Sequence, residues 1–304
     1  MNVLLIAGGW SDEREVSLSG ARMIHAALER LGHQVSFFDP ALDFANLLRV
    51  AREADFAFIN LHGTPGEDGL IQAVLDKACC PYQGAGAAAS YLALNKAASK
   101  EVFESAGIPT PDWQFVTRVQ GPDTPPTLPL PVFVKPNKGG SSLGMSLVRT
   151  SGEFPAALNT VFSLCQSALV ERFIPGVELT CAVLDHRPLP LIMITPKGDA
   201  AFFDYHNKYA EDGAEEICPA PVPDEVTRNV QSLMVKAHKA LGLTGYSRGD
   251  FILSADGTPY LLEINTLPGM TPTSLLPRAA AQAGLAFEDL ITELIRLGLE
   301  ERGR

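Results

Sequence analysis

RGDFILSADGTPYLLEINTLPGMTPT, residues 248–273, reads as two strands around a tight turn at Asp256-Gly257. Asp-Gly between alternating apolar runs is the strongest short-range hairpin signal, and a two-residue type I′ loop needs positive φ at both central positions. That loop fixes the pairing: Ala255 with Thr258, Leu253 with Tyr260, Asp250 with Glu263 and Arg248 with Asn265. Side chains alternate along a strand, so Phe251, Leu253, Leu262 and Ile264 are expected on a core face and Arg248, Asp250, Glu263 and Asn265 on the other. Directly opposed residues hold their Cβ atoms roughly 4.5–5.5 Å apart, where like charges destabilise a sheet. Two facing carboxylates therefore ask for a cation. An oxygen set of Asp, Glu and an Asn amide suits a hard ion such as Mg²⁺, which takes one or two carboxylates and fills its shell with water and substrate phosphates. The plainer alternative is a solvated edge hairpin whose acids point into water. A turn-rich loop follows from Thr266, in which Gly269 permits close backbone approach and Ser274 occupies a helix N-cap before an apolar helical pattern from Leu275. Exposed N–H groups at such a start bind carboxylates or phosphates.

At 304 residues, the chain has room for two or three subdomains and a large core. A formal net charge of -11 argues against nucleic-acid or anionic-membrane partners and favours a small-molecule substrate. The apolar opening Met1–Ala7 has no basic region and is too short for a leader or a membrane span, so the cytoplasm is the expected location. Five cysteines without a CxxC pattern suggest reduced thiols, with no disulfide framework or zinc site.

Asn2–Ala7 is a continuous apolar run ended by Gly8-Gly9, as in a strand buried on both faces of a parallel sheet. Ser11 and Asp12 are N-cap types for a helix that Gly32 stops. Strands at 35–38 and 55–60 complete a doubly wound α/β unit whose ligands lie beyond the strands' carboxyl ends, where Gly8-Gly9, Glu15 and His62 sit. A nicotinamide reading fails because Trp10-Ser11-Asp12-Glu13 replaces G-x-G-x-x-G and two acids at a helix start would repel a pyrophosphate. Gly86 opens an Ala- and Ser-rich helix expected to continue to Gly107, with Lys96 and Lys100 one turn apart on its solvent side. A Pro-rich connector at 121–131 leads to the strand Val132–Pro136, where Lys135 needs a partner if buried. Asn137–Gly144 is rich in glycine, and its N–H groups can curl over phosphates, but its lysine precedes the glycines, unlike a Walker A loop. Residues 169–184 read as strand, turn, strand, and 204–217 as a polar, aromatic-studded surface loop.

The run GDFIL…YLLEINTLPGMTPTS closely resembles the C-terminal signature of the D-alanine:D-alanine ligases of the ATP-grasp superfamily. His62-Gly63-Thr64-Pro65-Gly66-Glu67-Asp68-Gly69, Leu94-Asn95-Lys96 and Lys208-Tyr209 resemble further motifs of that family, in its order and over essentially the whole chain. The resemblance implies an α/β protein: an N-terminal doubly wound parallel-sheet unit (1–85), then a two-subdomain ATP-grasp fold (86–185 and 186–304) with ATP between antiparallel sheets. It implies Glu15 on the ammonium of the first D-alanine, His62 beside it, and Ser141 and Tyr209 closing the site over it. On the nucleotide it implies Lys96, Lys135 and Lys208 at phosphates, Ser142 as a further ATP contact, Glu171 at adenine and Glu178 at the ribose hydroxyls. Asp250, Glu263 and Asn265 would hold two Mg²⁺ ions, for which Mn²⁺ can substitute. Arg248 and the Gly269 N–H would stabilise an oxyanion, and Ser274 and Leu275 would bind the second carboxylate. The implied reaction couples two D-alanines for peptidoglycan precursors through an acyl phosphate, shielded from water by the lid at 204–217. A homodimer is implied as well. Tyr209 favours a dipeptide over a D-lactate product. The rival readings are another carboxylate-amine ligase of the superfamily and a nucleotide-binding regulator without catalysis.

Overall fold

The computed structural model describes residues 1–140, 143–196, 214–271 and 273–303. The chain opens as β1 (Asn2–Ala7), α1 (Arg14–Arg30), β2 (Gln34–Phe38), α2 (Pro40–Asp43), α3 (Leu47–Glu53), β3 (Phe56–Asn60) and α4 (Leu70–Ala78). The three strands form a parallel sheet in the order β2-β1-β3. β1 lies in its centre, and Val3 to Ala7 are all buried, which is why that run is apolar throughout.

Two helices follow, α5 (Ala87–Leu94) and α6 (Lys96–Ser105), where a single one was expected. Asn95 breaks the helix: its backbone is extended, and its side chain accepts the Ala98 N–H at 3.3 Å to cap α6. Next come β4 (Trp113–Thr117), β5 (Val132–Pro136), β6 (Ser146–Val148), α7 (Phe154–Leu164) and β7 (Ser167–Arg172), the strands pairing antiparallel as β4-β7-β5-β6. The last sheet is built from β8 (Gly176–Leu184), β9 (Arg187–Pro188), β10 (Ile192–Pro196), β11 (Ala214–Ile217), β12 (Tyr246–Ser254) and β13 (Pro259–Asn265). Its order is β11-β10-β8-β12-β13, with β9 paired to β8. Ala214–Ile217, read from sequence as the end of a loop, is therefore strand. Helices α8 (Asp224–Ala240), α9 (Leu275–Gln282) and α10 (Phe287–Arg302) complete the fold.

One apolar core joins the parallel sheet to the C-terminal helices, with Leu5, Ile6 and Phe58 in a single cluster with Leu276, Leu290 and Leu294. The close approach of α10 depends on Gly298, since a Cβ there would lie 2.6 Å from the Tyr82 carbonyl oxygen. Gly298→Ala is expected to destabilise the fold by about 1–3 kcal/mol through overpacking against backbone, read as a lower urea midpoint at unchanged slope.

The decisive hairpin departs from expectation at its tip. Ser254 N–H donates to the Thr258 carbonyl at 3.0 Å, so three residues, Ala255 to Gly257, form the loop. Only Gly257 of these has positive φ (84°), and the turn closes from Gly257 N–H to the Ser254 carbonyl. Leu253 consequently pairs with Pro259 instead of Tyr260. A β-bulge between Asp250 and Phe251 then restores the register, and Asp250 faces Glu263 and Arg248 faces Asn265 as read from sequence. Leu262 is the extra residue. It turns into the cavity described below, and Leu261 takes its place in the core, reversing the expected facing of Leu262.

Candidate active site

A cavity of about 720 Å³ lies between the two antiparallel sheets and the loops that follow β1 and β3, within the size range of small-molecule sites. Among the described residues, six predicted from sequence line it: Lys96, Lys135, Glu171, Glu178, Asp250 and Glu263. Apolar side chains, among them Phe133, Phe173, Ile252 and Leu262, supply much of the remaining wall.

The facing carboxylates are not left to repel each other, contrary to the expectation for an empty hairpin. The Arg248 fork donates to both oxygens of Asp250, at 3.0 Å from Nε and 2.9 Å from Nη2, and the Thr180 hydroxyl donates to Oδ1 at 2.8 Å. Burial alone would weaken the Arg248 charge, but Asp250 and then Glu263 hold its pKa above the usual guanidinium range. Lys96 Nζ stands 3.1 Å from Glu263 Oε2. Asn265 Oδ1 accepts the Leu267 N–H at 2.8 Å, which ties the end of β13 to the loop after it.

Lys96 reaches this place because of the Asn95 break. Asn137, at the end of β5, accepts the Ala97 N–H at 2.9 Å and donates to Asn95 Oδ1 at 2.8 Å, and its carbonyl accepts the Lys96 N–H at 3.0 Å. The start of α6 is thereby docked on the glycine-rich loop, and Lys96 Nζ donates to the Gly139 carbonyl at 2.5 Å. Lys96 and Lys100 were expected in solvent, yet their relative exposures are 8% and 0%. Both face inward because α6 is covered on that side by sheet. Lys135 does find the partner that its burial demands: Nζ donates to Glu171 Oε2 at 2.7 Å. Lys100 ion-pairs with the other oxygen, Oε1. Burial would raise the Glu171 pKa, but the two ammonium groups hold it below the ordinary glutamate value.

At the N-terminal end the structure corrects the sequence reading. Glu15 is exposed on α1 and does not line the cavity, whereas Glu13, two residues earlier, does. The helix starts at Arg14 with Glu13 in the N-cap position, so neither Ser11 nor Asp12 caps it, and the Glu13 side chain makes no capping bond. Glu13 approaches the glycine-rich loop closely: a Cβ on Gly140 would meet its Oε2 at 3.2 Å. Asp39 holds the loop in front of it, accepting from Gly9 N–H at 3.0 Å, Ala41 N–H at 2.9 Å and the Arg14 guanidinium. Burial would raise the Asp39 pKa, but these donors outweigh it and keep it low.

His62 is buried beside this loop. Its Nε2 has no hydrogen-bond partner among the described residues, and burial pushes its pKa down despite the nearby Glu13 carboxylate. Glu67, which the sequence reading gave no role, accepts the Gly63 N–H at 2.7 Å, and burial reinforced by Glu13 pushes its pKa up to about 8. The folded state thus keeps a proton that an unfolded glutamate loses near 4.5, so stability falls as pH rises from about 4.5 to about 8. Glu67→Gln is expected to flatten that part of a denaturation-versus-pH curve, and an unchanged slope would show that Glu67 ionises normally.

Beyond β13, Ser274 occupies the expected N-cap position of α9 but makes no capping bond. Its hydroxyl turns back to Thr271, 3.1 Å from the backbone nitrogen and 2.7 Å from Oγ1, with Gly269 packed against it. His62, Arg248, Asn265, Gly269, Ser274 and Leu275 do not themselves line the cavity; Arg248 is joined to it through Asp250. The predicted positions Ser141, Ser142, Lys208 and Tyr209 lie outside the described residues.

Two carboxylates and a carboxamide at paired positions on one strand pair, each carboxylate already held against a cationic side chain, form a donor set that fits a hard divalent ion. Lys135 and Lys96 supply cationic groups for an anionic ligand in the same cavity. A family described as the D-ala D-ala ligase C-terminus matches residues 102–296. The chain is 61% identical over 302 residues to a D-alanine--D-alanine ligase of Maridesulfovibrio salexigens, spanning 99% of this chain and 100% of that one. A crystal structure of the Bacillus anthracis D-alanine--D-alanine ligase complexed with ATP superposes with a TM-score of 0.87 at 32% identity, covering 99% of this chain and 98% of the other. The Coxiella burnetii D-alanine-D-alanine ligase gives 0.84 at 26% identity, covering 99% and 94%.

Proposed function

The chain belongs to the D-alanine--D-alanine ligase family, and from that membership we propose how its own residues carry out the reaction. It is an ATP-dependent ligase that joins two D-alanines for peptidoglycan synthesis. The observation that carries the residue assignment is the convergence on one cavity of Glu13 from the parallel-sheet unit, Lys96, Lys135, Glu171 and Glu178 from the middle of the chain, and Asp250 and Glu263 from the hairpin.

Glu13 binds the ammonium of the first D-alanine, the role that the sequence reading gave to Glu15, with His62 adjacent. Glu171 accepts from the adenine amine and Glu178 from the ribose hydroxyls, since ionised carboxylates only accept. Lys96 and Lys135 bind phosphate oxygens. The first carboxylate takes the γ-phosphoryl group of ATP and ADP leaves, and the amine of the second D-alanine, having lost a proton, attacks the acyl carbon so that phosphate leaves as the peptide bond forms. Arg248 and the Gly269 N–H stabilise the oxyanion formed in that attack, and Ser274 with the backbone at Leu275 holds the second carboxylate. Asp250, Glu263 and Asn265 would hold Mg²⁺, which neutralises phosphate charge when bound. Ser141 and Tyr209 are proposed to close the site over the first D-alanine, and Ser142 and Lys208 to contact ATP.

The division into 1–85, 86–185 and 186–304 is supported by a sheet lying mainly in each part, with β8 extending from the second part into the third sheet. No helix among the described residues is long and apolar enough to cross a membrane; a cytoplasmic location is part of the proposal. Exposed Met23 and Phe37 on α1 and β2 offer apolar surface that a second copy would cover in a homodimer. Release of phosphate with ATP, Mg²⁺ and D-alanine, together with D-alanyl-D-alanine by mass spectrometry, tests the assignment, and ATP turnover without dipeptide would refute it. Tyr209→Phe is expected to keep ATP use but raise the share of D-lactate-containing product at acid or neutral pH. An unchanged product ratio would remove the tyrosine from selectivity.

A further inference from the structure

Lys100 is a fully buried lysine that does not line the cavity, and the reaction as described makes no use of it. Its Nζ has two partners: Glu171 Oε1, and the Thr110 hydroxyl at 2.5 Å, which in turn donates to the Leu261 carbonyl at 2.7 Å. Glu171 is itself 2% exposed, and its second oxygen holds Lys135. Two cationic side chains therefore share a single buried carboxylate, and Lys135 is the one of the pair that faces the cavity.

This arrangement has an electrostatic consequence. A lone Glu171–Lys135 pair would be neutral and closed, and in a water-poor site a phosphate would have to break it to gain the lysine. A second cation on the same carboxylate leaves an excess of positive charge, and Lys135 is where a ligand can reach it. Burial presses the Lys100 ammonium toward its neutral form while Glu171 opposes it. Each of the two thus depends on the other.

We propose that Lys100 is a positioning residue: by holding Glu171 from behind, it keeps Lys135 available to the phosphates of the nucleotide. The inference rests on the nucleotide reading of this cavity. Removing Lys100 leaves Glu171 to capture Lys135, and removing the Glu171 charge as well should release it again.

The test is calorimetric titration of a non-hydrolysable ATP analogue with Mg²⁺ into wild type, Lys100→Met, Glu171→Gln and the double variant, alongside the KM for D-alanine. Lys100→Met is expected to weaken analogue binding at least about tenfold, with the first D-alanine KM held within about threefold. The double variant should bind within about threefold of Glu171→Gln, because without a carboxylate Lys100 has nothing to hold. A purely structural role would shift both substrates alike and would not be relieved by Glu171→Gln. If Lys100→Met does not fold, the comparison of Glu171→Gln with the double variant still decides. A difference of about tenfold there, or Lys100→Met binding within about threefold of wild type, overturns the inference. If wild type itself bound no analogue and released no phosphate, the nucleotide reading would fall and the inference with it.

Discussion

Glu263→Gln will lose nearly all turnover with ATP, Mg²⁺ and D-alanine. Glu263 and Asp250 are directly opposed on the hairpin and belong to the oxygen set that fits a divalent ion. Such a metal clamp is worth several kcal/mol of charge stabilisation, so a loss of roughly 100- to 1000-fold is expected. The structure also sets the metal-free behaviour. Glu263 faces Lys96 at 3.1 Å with its side chain 31% exposed, so its loss in chelator should cost only about 0–1 kcal/mol. The sequence alone suggested a repelling pair and no cost at all. Wild type should gain about 2.7 kcal/mol on adding Mg²⁺ and an ATP analogue at 100 times its Kd, and the variant much less. A variant that melts far below wild type in chelator would make Glu263 a structural partner and remove it from the metal set.

Glu13→Gln should raise the KM for the first D-alanine steeply, while Glu15→Gln leaves it within about threefold, roughly 0.65 kcal/mol. Glu13 lines the cavity next to the loop that begins at His62, and Glu15 is exposed on the outer side of α1. Truncating one partner of a buried charge pair costs ~2–5 kcal/mol, which is the range expected for the loss of the ammonium contact. Equal effects of the two substitutions, or a larger effect at Glu15, would restore the original assignment. The KM for ATP serves as the control, since Glu13 approaches the glycine-rich loop and a large change there would mean that the loop had moved.

Glu15 is assigned by resemblance within the run Glu13-Arg14-Glu15, and of its two acids the structure sets Glu13 at the cavity. Ser11, Asp12 and Glu13 all precede the helix, and the first two are favourable caps, so sequence pattern leaves the first helical residue uncertain by about two positions. Glu13 stands before the helix at its N-cap and lines the cavity, whereas Glu15 lies in the first turn and is exposed. Lys100 escaped for a different reason. Its helix carries lysines one turn apart, which reads as a wet face, and only the approach of Glu171 from β7 turns that face into an interior.

What the residues determined by themselves was local and periodic. The apolar run of β1 required a strand covered on both faces, and alternating apolar runs on either side of a Gly-containing turn required the β12–β13 hairpin. Lys135, at the end of an apolar strand, required an internal counter-charge. The tertiary structure decided the rest. The hairpin has a three-residue loop and a bulge at Leu262, two departures that offset each other in register yet turn one leucine from core to cavity. The cavity is closed by side chains from two antiparallel sheets and from loops beyond the parallel one, and Lys96 and Lys100 meet Glu263 and Glu171 only when helix α6 packs against those antiparallel sheets. Periodicity records which way a side chain points from its own strand or helix. Which charge it meets there depends on chain brought in from elsewhere, and the low dielectric that gives the meeting its strength exists only once the layers have closed.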